Sequence, residues 1–356
     1  MLLDLVKIFT PAVLAFVLGI GITPVLSRFL YERKMWKKKA GKRDLDGAPT
    51  PLFDKMHEAR EVGTPRLGGV VIWLSCAAAI FVIFAFAHLF PSPFFSKLDF
   101  LSRDQTWIPL LVLLVGAFIG FFDDMAEING TGENAAGGLS LRKRLALVGL
   151  IGLSVGVWFY LKLEVDSITI PFYGPFFVGS FLPVLFSIVT VGVYSGGIID
   201  GLDGLAGGIF AIIFGAYGAI AFFQNQLNLA AFCAALLGGI LAFLWFNIPP
   251  ARFYMSETGS MALTLTLSVV AFMTDSLGGG EGLFVLPLIA FPLVVTSASV
   301  ILQLLSRRLR KKKLFRVSPL HHHFEAIGWP PEKVVMRYWV FAVITALVGL
   351  IVALAS

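Results

Sequence analysis

The sequence predicts an all-α membrane protein with about ten transmembrane helices. Of its 356 residues, 57% are hydrophobic and only 14% are charged, whereas soluble domains carry roughly 25% charged residues. Apolar stretches long enough to cross a bilayer recur along the chain, and the loops between them differ sharply in charge. These three observations favour a single polytopic transmembrane domain over residues 1–356 in a lipid bilayer.

The predicted helices follow the apolar runs in order. The first run follows Met1–Lys7, which carries a single basic residue, and no small-residue cleavage pattern follows the run. We therefore interpret it as a membrane helix and not as a cleaved signal peptide. The ten predicted spans are 5–27, 67–90, 107–122, 145–161, 180–197, 205–223, 228–246, 259–274, 283–304 and 335–354.

The positive charge lies almost entirely in alternate loops. All of the 28 lysines and arginines except Lys7, Lys97, Arg103 and Lys162 fall on one side of the predicted helices. Since basic loops remain in the cytoplasm, both termini are predicted to be periplasmic. The net charge of +6 therefore marks topology and gives no reason to expect nucleic-acid binding. The predicted cytoplasmic loops are 28–66, 123–144, 198–204, 247–258 and 305–334.

One periplasmic connection has the pattern of a small β-hairpin. Residues 163–178 partly alternate apolar and polar side chains, and Pro and Gly interrupt the alternation. Short alternating runs separated by turn residues are typical of a hairpin.

Acidic and histidine side chains gather in the predicted cytoplasmic loops, close to helix ends. Paired carboxylates at a membrane surface are costly unless they bind a cation or a basic side chain. Carboxylate oxygens beside a phosphate substrate favour magnesium, which uses one or two protein carboxylates and keeps several waters. The residues are Asp123 and Asp124 at the end of the third predicted helix, Asp200 and Asp203 at the start of the sixth, Glu257 before the eighth, and His321, His322 and His323 before the tenth.

Each motif also has a structural interpretation. An aspartate at a helix start is often only an N-cap, and a basic run at a membrane surface most often fixes topology. Zinc at the three histidines is open, although adjacent imidazoles converge poorly on one metal. The concentration of such loops on one face favours an enzyme over a transporter, whose ionisable residues lie near the bilayer centre. A catalytically inactive membrane scaffold stays open.

At these motifs the chain resembles the polyprenyl-phosphate N-acetylhexosamine-1-phosphate transferases. The resemblance covers nearly the whole sequence, and the histidine loop is the most specific part because it is similar to the muramoyl branch of the family. The motifs are GTPRLGG at 63–69, FFDDM at 121–125, DGLDGLAGG at 200–208, FLWFNIPPARFYM at 243–255 with TGS at 258–260, and LFRVSPLHHHFEAIGWPPEKVVMRYWV at 314–340.

The resemblance implies a reaction in the bacterial inner membrane. Phospho-MurNAc-pentapeptide would pass from UDP-MurNAc-pentapeptide to undecaprenyl phosphate, giving lipid I and UMP with magnesium as cofactor. A sister transferase that uses another UDP-amino-sugar is the alternative within the same class. The resemblance also suggests a homodimer, for which the residues themselves give no indication.

The resemblance also implies roles for particular residues. Glu257 and Asp200 are expected to hold magnesium, and four further residues are expected to bind the nucleotide substrate. Tyr254 replaces an aromatic residue that stacks on uracil. The expected catalytic residues are Asp123, Asp124, Asp200, Asp203, Lys143, His321, His322 and His323, and the expected substrate-binding residues are Asn247, Tyr254, Ser260 and Gln303.

Three departures from the family pattern bear on activity. Ser256-Glu257 replaces Gly-Asp, so the expected metal ligand is one methylene longer. Gly197 and Ile199 replace an asparagine and a threonine before the second aspartate motif. GTPRLGG replaces GTPTMGG, and residues 60–62, Arg-Glu-Val, replace a segment that usually holds a lysine. These changes leave rate and donor specificity open.

Overall fold

A computed structural model of the chain describes residues 2–38, 62–90, 92–101, 105–131 and 138–355. Residues 60 and 61, part of one departure from the family pattern, lie outside these ranges. The described regular structure is helical apart from one hairpin and short turns. The elements are α1 (Leu2–Glu32), α2 (Val70–Leu89), α3 (Pro93–Leu98), α4 (Trp107–Asn129), α5 (Leu141–Lys162), β1 (Ser167–Ile170), β2 (Gly174–Phe177), α6 (Leu182–Ser195), α7 (Leu205–Phe223), α8 (Leu227–Asn247), α9 (Ser256–Phe272), α10 (Leu286–Ile289), α11 (Phe291–Arg310), α12 (Leu320–Ala326) and α13 (Pro331–Ala355).

The predicted all-α, multi-pass fold is confirmed. Within the described ranges, nine helices are long and apolar enough to cross a membrane. The predicted span 283–304 differs, because the chain breaks at Ala290 between α10 and α11. The last turn of α11 carries Arg307, Arg308 and Arg310, so this helix is less apolar than the other nine. The periplasmic location of both termini stays a prediction.

Several helices extend beyond the apolar runs that predicted them, and two of these extensions include acidic residues of the motifs. The span 107–122 is α4, which continues to Asn129 and ends at Gly130 in the left-handed conformation. The span 259–274 is α9, which already begins at Ser256, so Glu257 lies in its first turn. The sequence boundaries stopped where charged residues begin, whereas the helical hydrogen bonding continues through them.

The predicted hairpin is confirmed as β1 and β2. The strands pair antiparallel, with Ser167 opposite Phe177 and Ile170 opposite Gly174. Gly174 has φ +98°, a conformation that glycine adopts at little cost and other residues rarely adopt. The hairpin therefore turns where the sequence provides a glycine.

The most buried helix is α9, which packs against α4 and α6. Of the 18-residue window that defines its membrane span, 89% is buried. Its hydroxyl side chains remain satisfied inside the bundle because they donate to carbonyls one turn earlier, as Thr264 does to Ser260 and Thr266 to Ala262. By contrast, α1 and α13 lie at the edge of the bundle, with 17% of their windows buried.

A glycine on α4 brings that helix against the beginning of α9. A Cβ at Gly120 would lie 2.7 Å from the amide nitrogen of Thr258 and closer still to the carbonyl of Glu257, so a larger residue would push the helices apart. This close approach carries Asp123 and Asp124, one turn further along α4, to the amino end of α9. The fold thus brings FFDDM and the Ser256–Glu257 turn together.

Candidate active site

Carboxylates from two other elements cap the amino end of α9. Asp124 accepts hydrogen bonds from the amide of Thr258 at 2.8 Å, from its hydroxyl at 2.6 Å and from the amide of Glu257 at 3.3 Å. Asp200 accepts from the amide of Ser256 at 2.9 Å. The first N–H groups of a helix have no partner within it, and the helix dipole favours negative charge there. Both aspartates therefore fix where α9 begins.

An arginine joins Glu257 to Asp123. Arg144 Nη1 lies 2.5 Å from Glu257 Oε1 and 3.6 Å from Asp123 Oδ2. The other oxygen of Glu257 is 3.3 Å from the Tyr194 hydroxyl and 3.5 Å from the Ser260 hydroxyl. The Glu257 and Arg144 side chains are each 21% exposed, whereas Asp123 is nearly fully buried. Glu257 and Arg144 thus form the part of this cluster that a substrate can reach.

The loop before α5 supplies a further hydrogen bond to Asp123. The amide of Leu139 donates to Asp123 Oδ1 at 2.6 Å. Gly138, with φ +82°, brings this loop close, since a Cβ at that position would stand 3.1 Å from the same oxygen. Asp123 is therefore held by a loop amide on one oxygen and faces Arg144 with the other.

The GTPRLGG motif adds a second cationic group to the cluster. Arg66 Nη1 lies 2.5 Å from Glu127 Oε2 and 3.6 Å from Asp124 Oδ1. Lys37, which follows α1, pairs with the other oxygen of Glu127 at 2.8 Å. Because Arg66 stands where the family has an uncharged residue, this departure places extra positive charge beside the buried Asp124.

The second aspartate motif lies in the turn before α7. The amide of Ala251 donates to Asp203 Oδ2 at 3.0 Å. Asn247 crosses between the same two segments, since its Oδ1 accepts from the amide of Gly204 and its Nδ2 donates to the carbonyl of Phe253, both at 2.9 Å. These contacts attach the aspartate turn to the loop that leads into α9.

Two of the three histidines face this aspartate turn. A Cβ at Gly201 would lie 2.8 Å from His322 Nε2 and closer still to His321 Nε2, so both imidazoles point at the Gly201 backbone. His322 Nδ1 lies 2.6 Å from Glu325 Oε2, a contact that orients the ring. His323 turns elsewhere, because its Nδ1 accepts from the amide of Arg316 at 3.2 Å.

Together these contacts form one continuous cluster at one end of the bundle. Asp123 and Glu257 both contact Arg144. Ser256, the residue before Glu257, donates its amide to Asp200. Asp200 is followed by Gly201, which the two histidines face. Such a set of carboxylates, imidazoles and guanidinium groups suits a substrate that carries phosphates, which arginine binds with paired hydrogen bonds.

The comparisons with known proteins agree with this arrangement. The family described as glycosyl transferase family 4 matches residues 106–275, from the residue before α4 to the π-helical turn after α9. The chain is 35% identical to the phospho-N-acetylmuramoyl-pentapeptide-transferase of Moorella thermoacetica over 350 residues, which cover 97% of this chain and 98% of the relative. It is 31% identical to the protein of that name from Rubrobacter xylanophilus over 338 residues, 92% of each chain.

The chain belongs to the phospho-N-acetylmuramoyl-pentapeptide-transferase family. A third relative, from Listeria welshimeri, is 32% identical over 357 residues and 98% of both chains. The family resemblance seen in the motifs is thereby confirmed over nearly the full length. The roles of individual residues stay predictions.

Of the basic residues at the start of α5, the sequence predicted Lys143 for the site of this family member, whereas Arg144 makes the contacts with Glu257 and Asp123. The Lys143 side chain is exposed. Sequence reasoning missed Arg144 because it stands in a run of three basic residues, where nothing in the pattern shows which one turns inward. It also missed Tyr194, which lies near the end of an apolar helix with no charged neighbour in the sequence to mark it.

Two of the predicted nucleotide-binding residues, Gln303 and Tyr254, form hydrogen bonds with the backbone of neighbouring segments in this structure. Gln303 Oε1 accepts from the amides of Leu314 and Phe315 at 3.0 and 2.9 Å, and its Nε2 donates to the Phe315 carbonyl. Tyr254 pairs through its backbone with the GTPRLGG segment, donating to the Pro65 carbonyl at 2.9 Å. Their contacts with substrate stay predictions.

Glu257, one of the two predicted magnesium ligands, faces a guanidinium in this structure, and the metal role of Glu257 and Asp200 stays a prediction. Both oxygens of Glu257 are engaged, one by Arg144 and the other by Tyr194 and Ser260. Over the described ranges, no group of three or more His, Cys, Asp or Glu side chains has a geometry that could hold a metal ion. Among the described residues, a guanidinium, that of Arg144, contacts Glu257.

Proposed function

We propose that this protein transfers phospho-MurNAc-pentapeptide from UDP-MurNAc-pentapeptide to undecaprenyl phosphate, releasing UMP and forming lipid I for peptidoglycan synthesis. Full-length similarity to enzymes of that name supports the assignment. The observation that carries it is the reachable Glu257–Arg144 pair, which lies between the Asp200 turn and the buried aspartates at one end of the bundle. The bacterial inner membrane is the corresponding location.

The reaction needs charge stabilisation more than covalent chemistry. An oxygen of the lipid phosphate attacks the β-phosphorus of the donor, and the bond to UMP breaks with its electron pair leaving on the UMP oxygen. Phosphoryl transfer is accelerated mainly by positioning and by groups that stabilise the negative charge. On this proposal Arg144 contacts these oxygens while Glu257 holds its orientation. The buried His322 ring, oriented by Glu325, positions the aspartate turn at Gly201.

A direct displacement suits this geometry better than a covalent aspartyl intermediate. Asp124 is fully buried, and its oxygens already accept three hydrogen bonds at the start of α9. Asp123 is 1% exposed and held by Leu139 and Arg144. A nucleophile would have to break these contacts before it reached the substrate, so we assign the two aspartates to holding the site together.

Magnesium stays a prediction of the family resemblance. Glu257 would either hold the ion beside Arg144 or exchange the guanidinium for it, and Asp200 would serve the ion while accepting the Ser256 amide. Metal dependence is tested by titrating magnesium against turnover in wild type and in Arg144→Gln. If magnesium and the guanidinium compete for Glu257, Arg144→Gln lowers the magnesium concentration needed for half-maximal turnover.

A comparison of donors tests the proposed function. Purified protein receives undecaprenyl phosphate and either UDP-MurNAc-pentapeptide or UDP-N-acetylglucosamine, and UMP and the lipid product are measured. We expect both products only with the first donor. Turnover with the second donor alone would make the chain a sister transferase using another UDP-amino-sugar. No UMP with either donor, under conditions where the Moorella thermoacetica relative is active, would make it an inactive scaffold. The same preparation reports whether the protein is a homodimer.

A further inference from the structure

A pocket at the carboxyl end of α1 lies outside the candidate active site. It has a volume of about 510 Å³, and α1 and the loop before α9 form its walls. The Tyr31 hydroxyl joins these walls by donating to the Arg252 carbonyl at 3.0 Å. None of the residues assigned above to catalysis, substrate or metal lines it. The lining residues are Pro24, Ser27, Arg28, Tyr31 and Arg252.

Two arginines in this pocket have no acidic partner among the residues that the structure describes. Glu32, one helical turn beyond Arg28, forms no ion pair with it. The Arg252 guanidinium lies 5.9 Å from the centre of the Phe246 ring, and such stacking leaves its N–H groups available to an anion. Two guanidinium groups with the Ser27 hydroxyl beside them match the oxygens of a phosphate, which arginine binds through paired, charge-assisted hydrogen bonds.

The position of the pocket identifies the source of that phosphate. A helix of 31 residues is about 46 Å long, whereas the hydrocarbon core of a bilayer is about 30 Å thick. Arg28, four residues before the end of α1, therefore lies at headgroup depth. On the same helix Val25 is 74% exposed and Phe29 47%, as expected of side chains that face lipid. Tyr31 and Trp36, with ring centres 6.2 Å apart, have the composition of an aromatic belt at the membrane surface.

We propose that this pocket binds the phosphate of an anionic phospholipid headgroup between Arg28 and Arg252. The acyl chains of that lipid would lie along the exposed apolar face of α1. On the predicted topology the pocket faces the cytoplasmic leaflet, whose anionic lipids attract basic residues near the membrane surface.

Binding of lipid would also stabilise the loop that enters α9. Arg252 directly follows Ala251, whose amide donates to Asp203, and its own amide donates to the Phe246 carbonyl at 2.9 Å. A ligand held by Arg252 therefore restrains a segment that is attached to the aspartate turn. Because a ligand that binds only the folded state raises its stability, binding has a thermal readout besides the count of bound lipid.

The test measures phosphatidylglycerol binding to delipidated, detergent-purified protein by native mass spectrometry and by thermal unfolding. The wild type is compared with the double variant Arg28→Gln/Arg252→Gln. We expect the tightest phosphatidylglycerol site to weaken by about 25-fold in the variant, the combined effect of two arginines that face anionic lipid. The rise in unfolding temperature with added phosphatidylglycerol should disappear with it, and phosphatidylcholine should not replace the anionic lipid.

A matched control removes two positive charges that lie outside the pocket. Arg33→Gln/Arg310→Gln changes two exposed arginines that do not line the pocket, and it should bind as the wild type does. Equal loss in both double variants, or none in Arg28→Gln/Arg252→Gln, would overturn the proposal. Displacement of the lipid by millimolar inorganic phosphate or by UDP would also overturn it, by making the pocket a site for soluble anions. None of these binding results depends on which donor sugar the enzyme uses.

Discussion

The two ends of α9 each hold a carboxylate from that helical segment, but in different surroundings. At the amino end, Glu257 is 21% exposed and paired with Arg144. About 27 Å away, by the rise of a helix, Asp275 in the π-helical turn after α9 is fully buried. It accepts hydrogen bonds from the amides of Thr169 at 3.0 Å and Leu283 at 3.2 Å, and no ion pair to it occurs in the described part of the chain.

The difference shows what separates a structural carboxylate from a candidate functional one. Asp275 is satisfied by backbone amides of the hairpin and of a loop, so it holds three segments together and offers nothing to a ligand. Glu257 is satisfied mainly by the side chain of Arg144, and both side chains are 21% exposed. Burial alone therefore does not distinguish the two carboxylates, whereas partial exposure together with a charged side-chain partner makes Glu257 the candidate for function.

The largest expected effect comes from Asp124→Asn, which should disrupt the amino end of α9 itself. Removing the charge of this buried carboxylate costs about 3–5 kcal/mol, since the Asn amide group would face the Thr258 donors and Arg66 would keep only Glu127 of the acidic partners that the structure describes. The unfolding free energy, measured by titration with SDS in mixed micelles, should fall by about that amount, and turnover should be lost with it. The control is Asp203→Asn, which changes a half-buried carboxylate that accepts from the Ala251 amide. Its cost should stay within about 1.5 kcal/mol. An Asp124→Asn protein as stable as wild type would remove the capping role.

The histidine loop offers a sharper test of which contacts serve chemistry. His322→Ala should reduce turnover by about 100-fold, because the ring is oriented by Glu325 and points at the aspartate turn. His323→Ala should have a much smaller effect, since its Nδ1 accepts from the amide of Arg316. Turnover per folded molecule under saturating substrate gives the comparison. Equal losses in the two variants would mean that the two rings are not distinguished as the structure indicates.

A smaller effect is expected at Ser256, which has φ +57° where the family has glycine. A side chain in the left-handed conformation costs roughly 1–2 kcal/mol, which glycine avoids. Ser256→Gly should therefore raise the unfolding free energy by about 1 kcal/mol while turnover changes little. Ser256→Ala is the matched control, because it keeps the strain, and it should bring no such gain. A destabilised Ser256→Gly protein would show that the hydroxyl matters more than the backbone.

The sequence predicted the helices and the end of the bundle that carries the charges. It did so because apolar residues mark the segments that cross a membrane and charged residues mark the loops between them. It identified Glu257 and Asp200 as neighbours in function, and the structure joins them through Ser256. It could not show that Asp124 caps α9 or that Arg144 is the basic residue of α5 that contacts Glu257. Those facts depend on how α4 and α5 rotate against α9, which close contacts such as that at Gly120 decide and no local pattern records.

The most direct test of the contrast between the two ends compares Glu257→Gln with Asp275→Asn, the same chemical change at opposite ends of one helical segment. UMP release from UDP-MurNAc-pentapeptide and undecaprenyl phosphate is measured per folded molecule, together with the unfolding free energy. Glu257→Gln should lower turnover by about 100- to 1,000-fold with little change in stability. Asp275→Asn should lower stability by about 1–3 kcal/mol and leave turnover close to that of wild type. Wild-type turnover in Glu257→Gln, or equal losses of turnover in both variants, would contradict the placement of the active site at the amino end of α9.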